Sequence, residues 1–354
     1  MGLPQIEIVF KSKAVSAVKR SAMGIVALIL RDETANYVST ITTIKSIEHL
    51  VLKDWTESNA DYISKTLLGT PAKIEVLRIG NETSIADALK KLGSIKFNYA
   101  AMPAAIESEA EAFMSWIKSK RNKDKKTYKG VVAHQKADAE GIINFTTEGI
   151  VVKERTYSAQ EYTGRIAGIL AGLPFTRSST YYELPEVESI IEHDDPDADI
   201  DNGELILIND GEKIKIGRGV NSLTTLTVDK KKDWQKIKIV EVMDMIIDDI
   251  RTTFNDEYVG KISNIYDNQI LFVIAVNAYF KLLAVDQVLD PSFDNISFID
   301  AEAQRLAWES IGTDTSEWTD LKVREMSFGS SVFLGGQVKI VDAMEDLKFS
   351  IFAA

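Results

Sequence analysis

Strand and helix patterns take turns along residues 24–133. Residues 24–30 form an unbroken apolar run, which is typical of a strand buried on both faces. Further strands are predicted at 73–79, 95–101 and 128–133, and helices at 57–68, 84–92 and 105–120. Strands that alternate with helices in this way favour a largely parallel sheet covered by helices. The sequence therefore predicts an α/β domain.

The second half of the chain has a different pattern. Apolar residues from Trp234 to Ile250 recur at helical spacing, and further helices are predicted at 263–284 and from Asp300 to Gly312. Short strands are predicted at 322–326, 331–334 and 337–341. Because 354 residues correspond to about two domains of roughly 150 residues each, we expect an α+β domain after the α/β domain.

Three glycines, Gly164, Gly168 and Gly172, lie four residues apart in a predicted helix. Small residues at this spacing let two helices approach closely. Because Arg165 interrupts the stretch and its length is short, the spacing predicts close helix packing inside a soluble domain.

Composition excludes several classes of protein. The chain has no cysteine, which excludes disulfide scaffolds, thiolate zinc sites and cysteine nucleophiles. Its formal net charge of −12 argues against a nucleic-acid partner, because phosphate contacts need clustered Lys and Arg. The start lacks a signal pattern, and the most apolar run, at 270–280, is too short to span a bilayer. We therefore expect a protein folded in the cytosol, without membrane insertion.

Two segments carry opposite charge. Residues 118–129 hold seven basic residues against Asp124 alone, and residues 178–212 hold twelve acidic residues and no Lys or Arg. The segments either attract each other across a subunit contact or are solvated surface. On the first interpretation, the reversible contacts include Lys123, Lys125, Lys126, Asp195, Asp197 and Asp199.

The aspartates from 195 to 201 alternate along a predicted loop and raise the question of calcium. An EF-hand loop needs Gly at its sixth position and Glu at its twelfth. Counted from Asp197, these positions hold Asn202 and Ile208, and the pattern also fails from Asp195. The segment is either a weak cation site or a solvated acidic loop, and we predict no metal ligands.

Catalytic motifs are incomplete. The chain has three histidines, which are His49, His134 and His193, and none is in an H-E-x-x-H motif. Gly217 and Gly219 would need a third glycine where the chain has Ser222 to form a dinucleotide loop. A nucleophile elbow at Ser331 would need glycine in place of Phe333. We therefore predict no catalytic residue and no cofactor.

Both ends of the chain alternate like edge strands. One face of each predicted strand is apolar, and its residues are Ile6, Ile8 and Phe10 at the start and Leu347, Phe349 and Ile351 at the end. An edge strand exposes unpaired backbone groups that can recruit another chain. The ends either pair within their own subunit or add to a neighbour's sheet, and the second arrangement suits a linked polymer.

Several stretches, in order, resemble one family. They are residues 171–185 (AGLPFTRSSTYYELP), residues 217–226 (GRGVNSLTTL) and residues 234–264, which include Asp248–Arg251 (DDIR) and Tyr258–Lys261 (YVGK). They resemble the tail sheath proteins of contractile bacteriophages and phage-tail-like bacteriocins, in particular short sheath subunits from clostridial or bacillus-type hosts. The similarity covers roughly residues 90–354.

The resemblance implies a subtilisin-like α/β domain without protease function, a C-terminal α+β sheath domain and extended terminal strand arms. On that pattern the chain divides into an N-terminal arm and linker, an α/β domain, an α+β domain and a C-terminal arm, at residues 1–20, 21–225, 226–345 and 346–354. In the family, the arms complete a small sheet in a neighbouring subunit. Here that recipient sheet would contain Val338 and Ile340.

The resemblance also implies a function. Sheath subunits form stacked six-fold rings around a tail tube and contract from a metastable extended state, which drives the tube through a bacterial envelope. The implied partners are further copies of the chain, the tail tube protein, and baseplate and tail terminator proteins. Such a protein is made in the host cytoplasm and released by lysis, within a phage or a headless bacteriocin. Two alternatives stay open, namely another self-assembling virion component and an α/β hydrolase-like or nucleotide enzyme.

Overall fold

The fold was analysed in a computed structural model that describes residues 17–18, 23–35 and 40–352. The predicted N-terminal strand, with Ile6, Ile8 and Phe10, lies outside the described residues. By their packing, residues 23–248 and 342–352 form one unit and residues 249–341 form a second. We call these the α/β unit and the helical unit.

The secondary structure follows the predicted order of elements. In the α/β unit the elements are β1 (Ile25–Arg31), β2 (Ile41–Ile44), α1 (Glu57–Leu67), β3 (Lys73–Ile79), α2 (Ile85–Leu92), β4 (Tyr99–Ala101), α3 (Glu107–Asn122), β5 (Lys129–Ala133), β6 (Ile142–Phe145), β7 (Ile150–Val152), β8 (Arg155–Tyr157), α4 (Ala159–Gly172), α5 (Pro196–Asp201), β9 (Glu204–Leu205), β10 (Leu207–Asn209) and β11 (Ile214–Ile216). They are followed by α6 (Ile237–Glu257), α7 (Tyr266–Val285), β12 (Ile296–Ile299), α8 (Ala301–Ser310), α9 (Asp320–Glu325) and β13 (Leu334–Gln337).

A seven-stranded sheet organises the α/β unit, in the order β2-β3-β1-β4-β5-β6-β9. All its pairings are parallel except that of the edge strand β2. Alternate residues of β1 enter two separate apolar clusters, with Val26, Leu28 and Leu30 in one and Ile25, Ala27 and Ile29 in the other. The prediction of a largely parallel sheet with a strand buried on both faces is confirmed.

The glycines of α4 explain how closely this helix packs on α1. A Cβ atom on Gly168 would lie 2.1 Å from the backbone oxygen of Thr66, and one on Gly172 would lie 1.8 Å from that of Gly69. No side chain fits at such distances. The predicted close packing of helices is therefore confirmed.

Short segments of the helical unit differ from prediction. Residues 322–326 are not a strand, because α9 occupies Asp320–Glu325 and its first turn is capped by Thr319, which accepts a hydrogen bond from Lys322 N. The strands predicted at 331–334 and 337–341 are replaced by one strand, β13, which pairs antiparallel with β12. A four-residue apolar alternation does not by itself distinguish a strand from one helical turn.

Helix α7 lies where a helix was predicted at 263–284, and it is longer than the apolar run at 270–280. Its 20 residues have the length and composition that a membrane crossing needs, with a mean hydropathy of 1.6 over the most apolar window. However, 44% of that window is buried inside the protein, and Asn277 bonds to Ser297 of β12. These contacts are those of a core helix.

Candidate functional site

The α/β unit holds the start of the last described segment, residues 342–352, which we call the C-terminal segment. Glu345 is the central contact, and its side chain is only 7% exposed. Its Oε1 atom accepts hydrogen bonds from Ser178 Oγ at 2.8 Å and from Thr180 Oγ1 at 2.7 Å. Thr180 is itself fixed, because its hydroxyl accepts a 3.0 Å hydrogen bond from Gly219 N. A buried carboxylate is thus matched by two hydroxyl donors.

Two ion pairs flank Glu345. Asp342 pairs with Lys236, and Asp346 accepts a 2.5 Å hydrogen bond from Arg218 Nη2. Burial alone would lower the pKa of Lys236, but the hydrogen bond and charge of Asp342 outweigh it and leave that pKa raised. We call Ser178, Thr180, Arg218 and Lys236 the seat of the C-terminal segment.

Beyond the seat, the C-terminal segment leaves its apolar side chains in solvent. Leu347, Phe349, Ile351 and Phe352 are 90%, 74%, 77% and 95% exposed. The strand predicted from the alternation at this end is not formed within the chain, since residues 342–352 pair with no strand of the described parts. A strand needs a partner edge, and the described parts of the chain supply none for this segment.

The predicted recipient residues lie just after a strand rather than within one. Strand β13 ends at Gln337, so Val338 is its neighbour and is 36% exposed. Ile340 forms an isolated antiparallel bridge with Leu289. Because the β12–β13 sheet has two strands, each has one edge without a strand partner among the described residues. Val338 and Ile340 therefore follow this sheet along the chain and lie in neither of its two strands.

The basic segment divides into buried and exposed residues. Arg121 bonds through both terminal nitrogens to Asp244, at 2.9 and 3.1 Å. Lys129, with its side chain 1% exposed, lies 3.0 Å from both Asp244 and Glu241. Burial alone would lower the pKa of Lys129, but these two carboxylates hold it above its ordinary value. These charges join α6 to β5 and α3 and are closed to a partner.

The lysines proposed as reversible contacts are outside this cluster. Lys123, Lys125 and Lys126 follow the end of α3 and are exposed. They present three positive charges on one short surface segment.

Part of the acidic segment forms a short helix where a loop was predicted. Residues 196–201 form α5, with Pro196 in its first turn and Asp195 as its N-cap, accepting a 3.1 Å hydrogen bond from Ala198 N. Asp197 is exposed, whereas Asp199 lies 2.7 Å from His193. The alternating aspartates therefore cap and solvate a helix turn, because Asp and Pro both favour its start.

The histidines do not converge on a site. His49 contacts Ser46, His134 contacts Glu148, and His193 contacts Thr147 and Asp199. Among the described residues, no group of three or more His, Asp or Glu side chains is arranged to hold a metal ion.

The sequence matches two family models that follow each other along the chain. Residues 78–222 match the phage tail sheath protein central domain, and residues 229–354 match the phage tail sheath C-terminal domain. A tail sheath protein of Clostridium phage phiCD119 is 39% identical over 360 residues, covering 99% of both chains. The phage-like element PBSX protein XkdK of Bacillus subtilis is 30% identical over 171 residues, covering 46% of this chain and 36% of that one.

Solved structures share the fold. The sheath tail protein of Desulfitobacterium hafniense superposes with a TM-score of 0.71 at 17% identity, covering 84% of this chain and 94% of that one. The helical sheath of the anti-feeding prophage in its contracted state superposes with a TM-score of 0.73 at 11% identity, covering 99% of both chains. At these identities the structures establish a common mixed α/β fold.

Proposed function

This chain belongs to the phage tail sheath family, and from that premise we propose that it polymerises as stacked six-fold rings around a tail tube. It is a structural subunit of a contractile injection system, and its homologues are structural proteins rather than enzymes. The rings assemble in a metastable extended state, contract on a baseplate signal and drive the tube through a bacterial envelope.

One observation carries the proposal, namely that the C-terminal segment is anchored at its start and unpaired at its end. Glu345 is fixed in the seat, whereas the next seven residues expose four large apolar side chains. Burying such a side chain is worth about 1.5–3 kcal/mol, so this segment gains by leaving solvent. A neighbouring copy supplies the missing surface in every subunit of an array.

The proposed division follows the resemblance, with a subtilisin-like α/β domain at 21–225, an α+β domain at 226–345 and arms at 1–20 and 346–354. The two family models support it, because one ends at 222 and the other begins at 229. The packing units instead divide inside α6, between Asp248 and Asp249. Residues 237–248 of α6 therefore belong to the α/β unit by packing and to the α+β domain by the proposed division.

The arms supply the permanent links of the proposed array. The C-terminal arm, with Leu347, Phe349 and Ile351, adds a strand to a neighbour's sheet beside Val338 and Ile340. The N-terminal arm, with Ile6, Ile8 and Phe10, is assigned the same role. The unpaired edges of the two-stranded β12–β13 sheet support such an addition.

The reversible contacts of the proposed array are electrostatic. Lys123, Lys125 and Lys126 are exposed on one segment, and Asp195 and Asp197 are exposed on another. Contacts between exposed charges are weak one at a time, which suits surfaces that separate when rings move. Two packings of one sequence can differ in free energy by a few kcal/mol per subunit. Added over all subunits of the array, this difference is a large driving energy.

The remaining partners follow from the proposed position in the particle. They are the tail tube protein inside the sheath and the baseplate and tail terminator proteins at its ends. The protein is made in the host cytoplasm and released by lysis, as part of a phage or phage-tail-like particle. No observation favours the alternative of an α/β hydrolase-like enzyme or another virion component over this account.

Negative-stain electron microscopy of the purified full chain tests the proposal. The sample is examined alone at high concentration and after co-expression with its tube protein. Hollow tubes or stacked six-fold rings are expected in at least one of these samples. Discrete small particles in both samples would overturn the proposal.

A further inference from the structure

A surface rich in lysine lies where two helices of the α/β unit end. Lys90 and Lys91 are in the last turn of α2, and Lys123 is the C-cap of α3. A Cβ atom on Gly93, the C-cap of α2, would lie 3.4 Å from the ring of Trp116 in α3. The ends of the two helices therefore lie near each other.

Stacked aromatic rings hold the adjoining segments side by side. The ring centroids of Phe97 and Tyr128 are 4.0 Å apart, and Trp116 stacks on these two rings at 6.5 and 6.0 Å. Lys96 and Lys126 occupy equivalent positions, each three residues before a residue pair that is in register between β4 and β5. Because these two strands are parallel neighbours, both lysines lie at the amino-terminal edge of the sheet.

These lysines gather positive charge on a chain whose net charge is −12. We call Lys90, Lys91, Lys96, Lys123, Lys125 and Lys126 the lysine surface. Among the described residues, none of the six forms an ion pair with a carboxylate. Carboxylates beside them have other partners, because Asp124 pairs with Lys120 and Asp248 accepts a 2.7 Å hydrogen bond from Thr127 Oγ1. Like charges that are gathered without partners favour the approach of an acidic surface.

The segment around α5 has the opposite balance. We call Glu192, Asp194, Asp195, Asp197 and Asp201, which are all exposed, the acidic surface. In the part of the chain that the structure describes, none of the five is paired with a lysine or arginine. Asp199 differs, since it is half-buried and lies 2.7 Å from His193, whose other ring nitrogen lies 2.9 Å from Thr147. These contacts fix α5 and leave the five carboxylates in solvent.

The lysine surface and the acidic surface match in charge but do not meet within one copy. No ion pair joins them in the described ranges, although both belong to the α/β unit. A contact between them therefore needs two copies. Since the two surfaces differ, each copy in such a contact keeps one surface of the other kind for a further copy. Contacts of this type repeat around a ring or along a helix instead of closing as a two-fold dimer.

We propose that the lysine surface of one copy binds the acidic surface of a second copy, as a contact between two α/β units. Each pair of exposed charges contributes little. Salt screens such pairs, with a screening length of about 10 Å at 0.1 M and about 3 Å at 1 M. The contact can therefore form and separate without unfolding either copy. This inference rests on the proposed polymer and names both surfaces of one of its reversible contacts.

Carbodiimide cross-linking tests the contact, because this reagent joins a lysine amine to a carboxylate only where the two groups touch. Assemblies are made from an equal mixture of the full chain with and without ¹⁵N labelling. Cross-linked peptides of mixed isotope are expected between the lysine surface and the acidic surface. Lys213 and Glu183, which pair at 2.9 Å within one copy, are the control and should give cross-linked peptides of a single isotope.

Charge reversal tests the same contact through assembly. One variant carries Lys123→Glu, Lys125→Glu and Lys126→Glu, and a second carries Glu192→Lys, Asp194→Lys and Asp197→Lys. Each should lower the fraction of chain that sediments as tubes by about tenfold at low salt, because like charges then meet. A variant with all six changes should recover the wild-type fraction, because every pair is reversed.

A matched control changes the net charge by the same amount elsewhere in the unit. It reverses three exposed lysines outside the lysine surface, namely Lys53→Glu, Lys136→Glu and Lys153→Glu. This variant should form tubes at the wild-type level. Equal loss of tubes in it would show that the net charge of the chain, and not the lysine surface, governs assembly.

The outcomes separate this inference from the proposed polymer. Tubes without mixed-isotope cross-links between the two surfaces, or a loss of tubes that the six changes together do not repair, would overturn the contact while the polymer stands. Cross-links of the lysine surface to other carboxylates only would do the same. If the wild-type chain forms no rings or tubes, the polymer is contradicted, and mixed-isotope cross-links of the dispersed chain at about 10 mM salt decide the contact. Should a variant fail to fold by circular dichroism, the cross-links of the wild-type chain decide.

Discussion

The carboxylate of Glu345 accepts a 2.7 Å hydrogen bond from the hydroxyl of Thr180, which lies 165 residues earlier in the chain. This contact fixes the start of the C-terminal segment on the α/β unit. Two residues later, Leu347 is 90% exposed. The C-terminal segment thus has a hydrogen-bonded start on the α/β unit and an exposed apolar end.

Replacing Phe349 and Ile351 by Asp should abolish polymerisation and leave the subunit folded. Both side chains are largely exposed in the single chain, so their loss removes surface that is buried only between copies. Size-exclusion chromatography should show monomers, with unchanged circular dichroism and no tubes in electron micrographs. Leu321→Asp, at another exposed apolar position, is the control, and equal loss of tubes in it would remove the special role of the segment.

Reversing the charge of Lys236 should release the root of the arm. Lys236→Glu places a negative charge beside Asp342 and Glu345, and one partly exposed ion pair is worth about 1 kcal/mol or less. Amide exchange of residues 342–346 should therefore rise by up to about fivefold. The double variant Lys236→Glu with Asp342→Lys should restore slow exchange. Lys213→Glu, which breaks the exposed pair with Glu183, should not change these amides.

Reversing Lys123, Lys125 and Lys126 to Glu should alter assembly or contraction. The three side chains are exposed, so the variant should fold with an unchanged melting temperature. Tube length and the fraction of contracted tubes are counted by electron microscopy at low and physiological salt, because screening weakens such contacts. Wild-type counts at both salt concentrations would remove this segment from the reversible contacts.

Replacing Gly168 by Ala should destabilise the α/β unit. The added Cβ would lie 2.1 Å from the oxygen of Thr66, and overpacking of this kind costs about 1–3 kcal/mol. Gly93→Ala is the control, because its Cβ meets neighbours at 3.4 Å and its φ is −63°. Urea denaturation should show a lower midpoint for Gly168→Ala only. Equal midpoints would contradict the close contact of α4 with α1.

Replacing Lys129 by Met should lower the free energy of unfolding by about 3–5 kcal/mol, because it removes the positive charge that balances buried carboxylates. Lys120→Ala, which loses an exposed pair with Asp124, should lower the free energy of unfolding by less than about 1 kcal/mol.

The pKa of Lys129 is raised in the folded state, since its carboxylate partners outweigh burial. Its stabilisation is therefore complete below the unfolded pKa of about 10.4 and lost as pH rises through the folded pKa. Denaturation at pH 6 and at pH 9 should show the same loss of unfolding free energy for Lys129→Met. A smaller loss at pH 9 than at pH 6 would contradict this.

Most elements of the α/β unit are predictable from the sequence, because the apolar runs and helical patterns that indicate them are long. The strand at Lys73–Ile79 and the helix capped by Ser84 lie at the ranges predicted for them, 73–79 and 84–92. The helix at Asp320–Glu325 was missed, because six residues carry little periodicity. The alternating aspartates predict a loop, whereas residues 196–201 form a short helix, because Asp followed by Pro is a helix start.

The contacts of the candidate site cannot be predicted from the sequence, for a different reason. The alternation of apolar residues at Leu347, Phe349 and Ile351 is visible in the sequence, but the residues that form the seat of this segment are not. Thr180 and Glu345 meet only through the tertiary fold, and no local spacing records a contact across 165 residues. The buried role of Lys129 was hidden in the same way, because its partner Asp244 is 115 residues away.

The measurement that tests the central claim most directly is a cryo-electron microscopy map of the sheath assembled around its tube. The account predicts a six-fold helical array in which density for residues 347–352 runs continuously from the seat of one subunit into the helical unit of another. An array in which this segment stays on its own subunit, or in which subunits meet without it, would contradict the account.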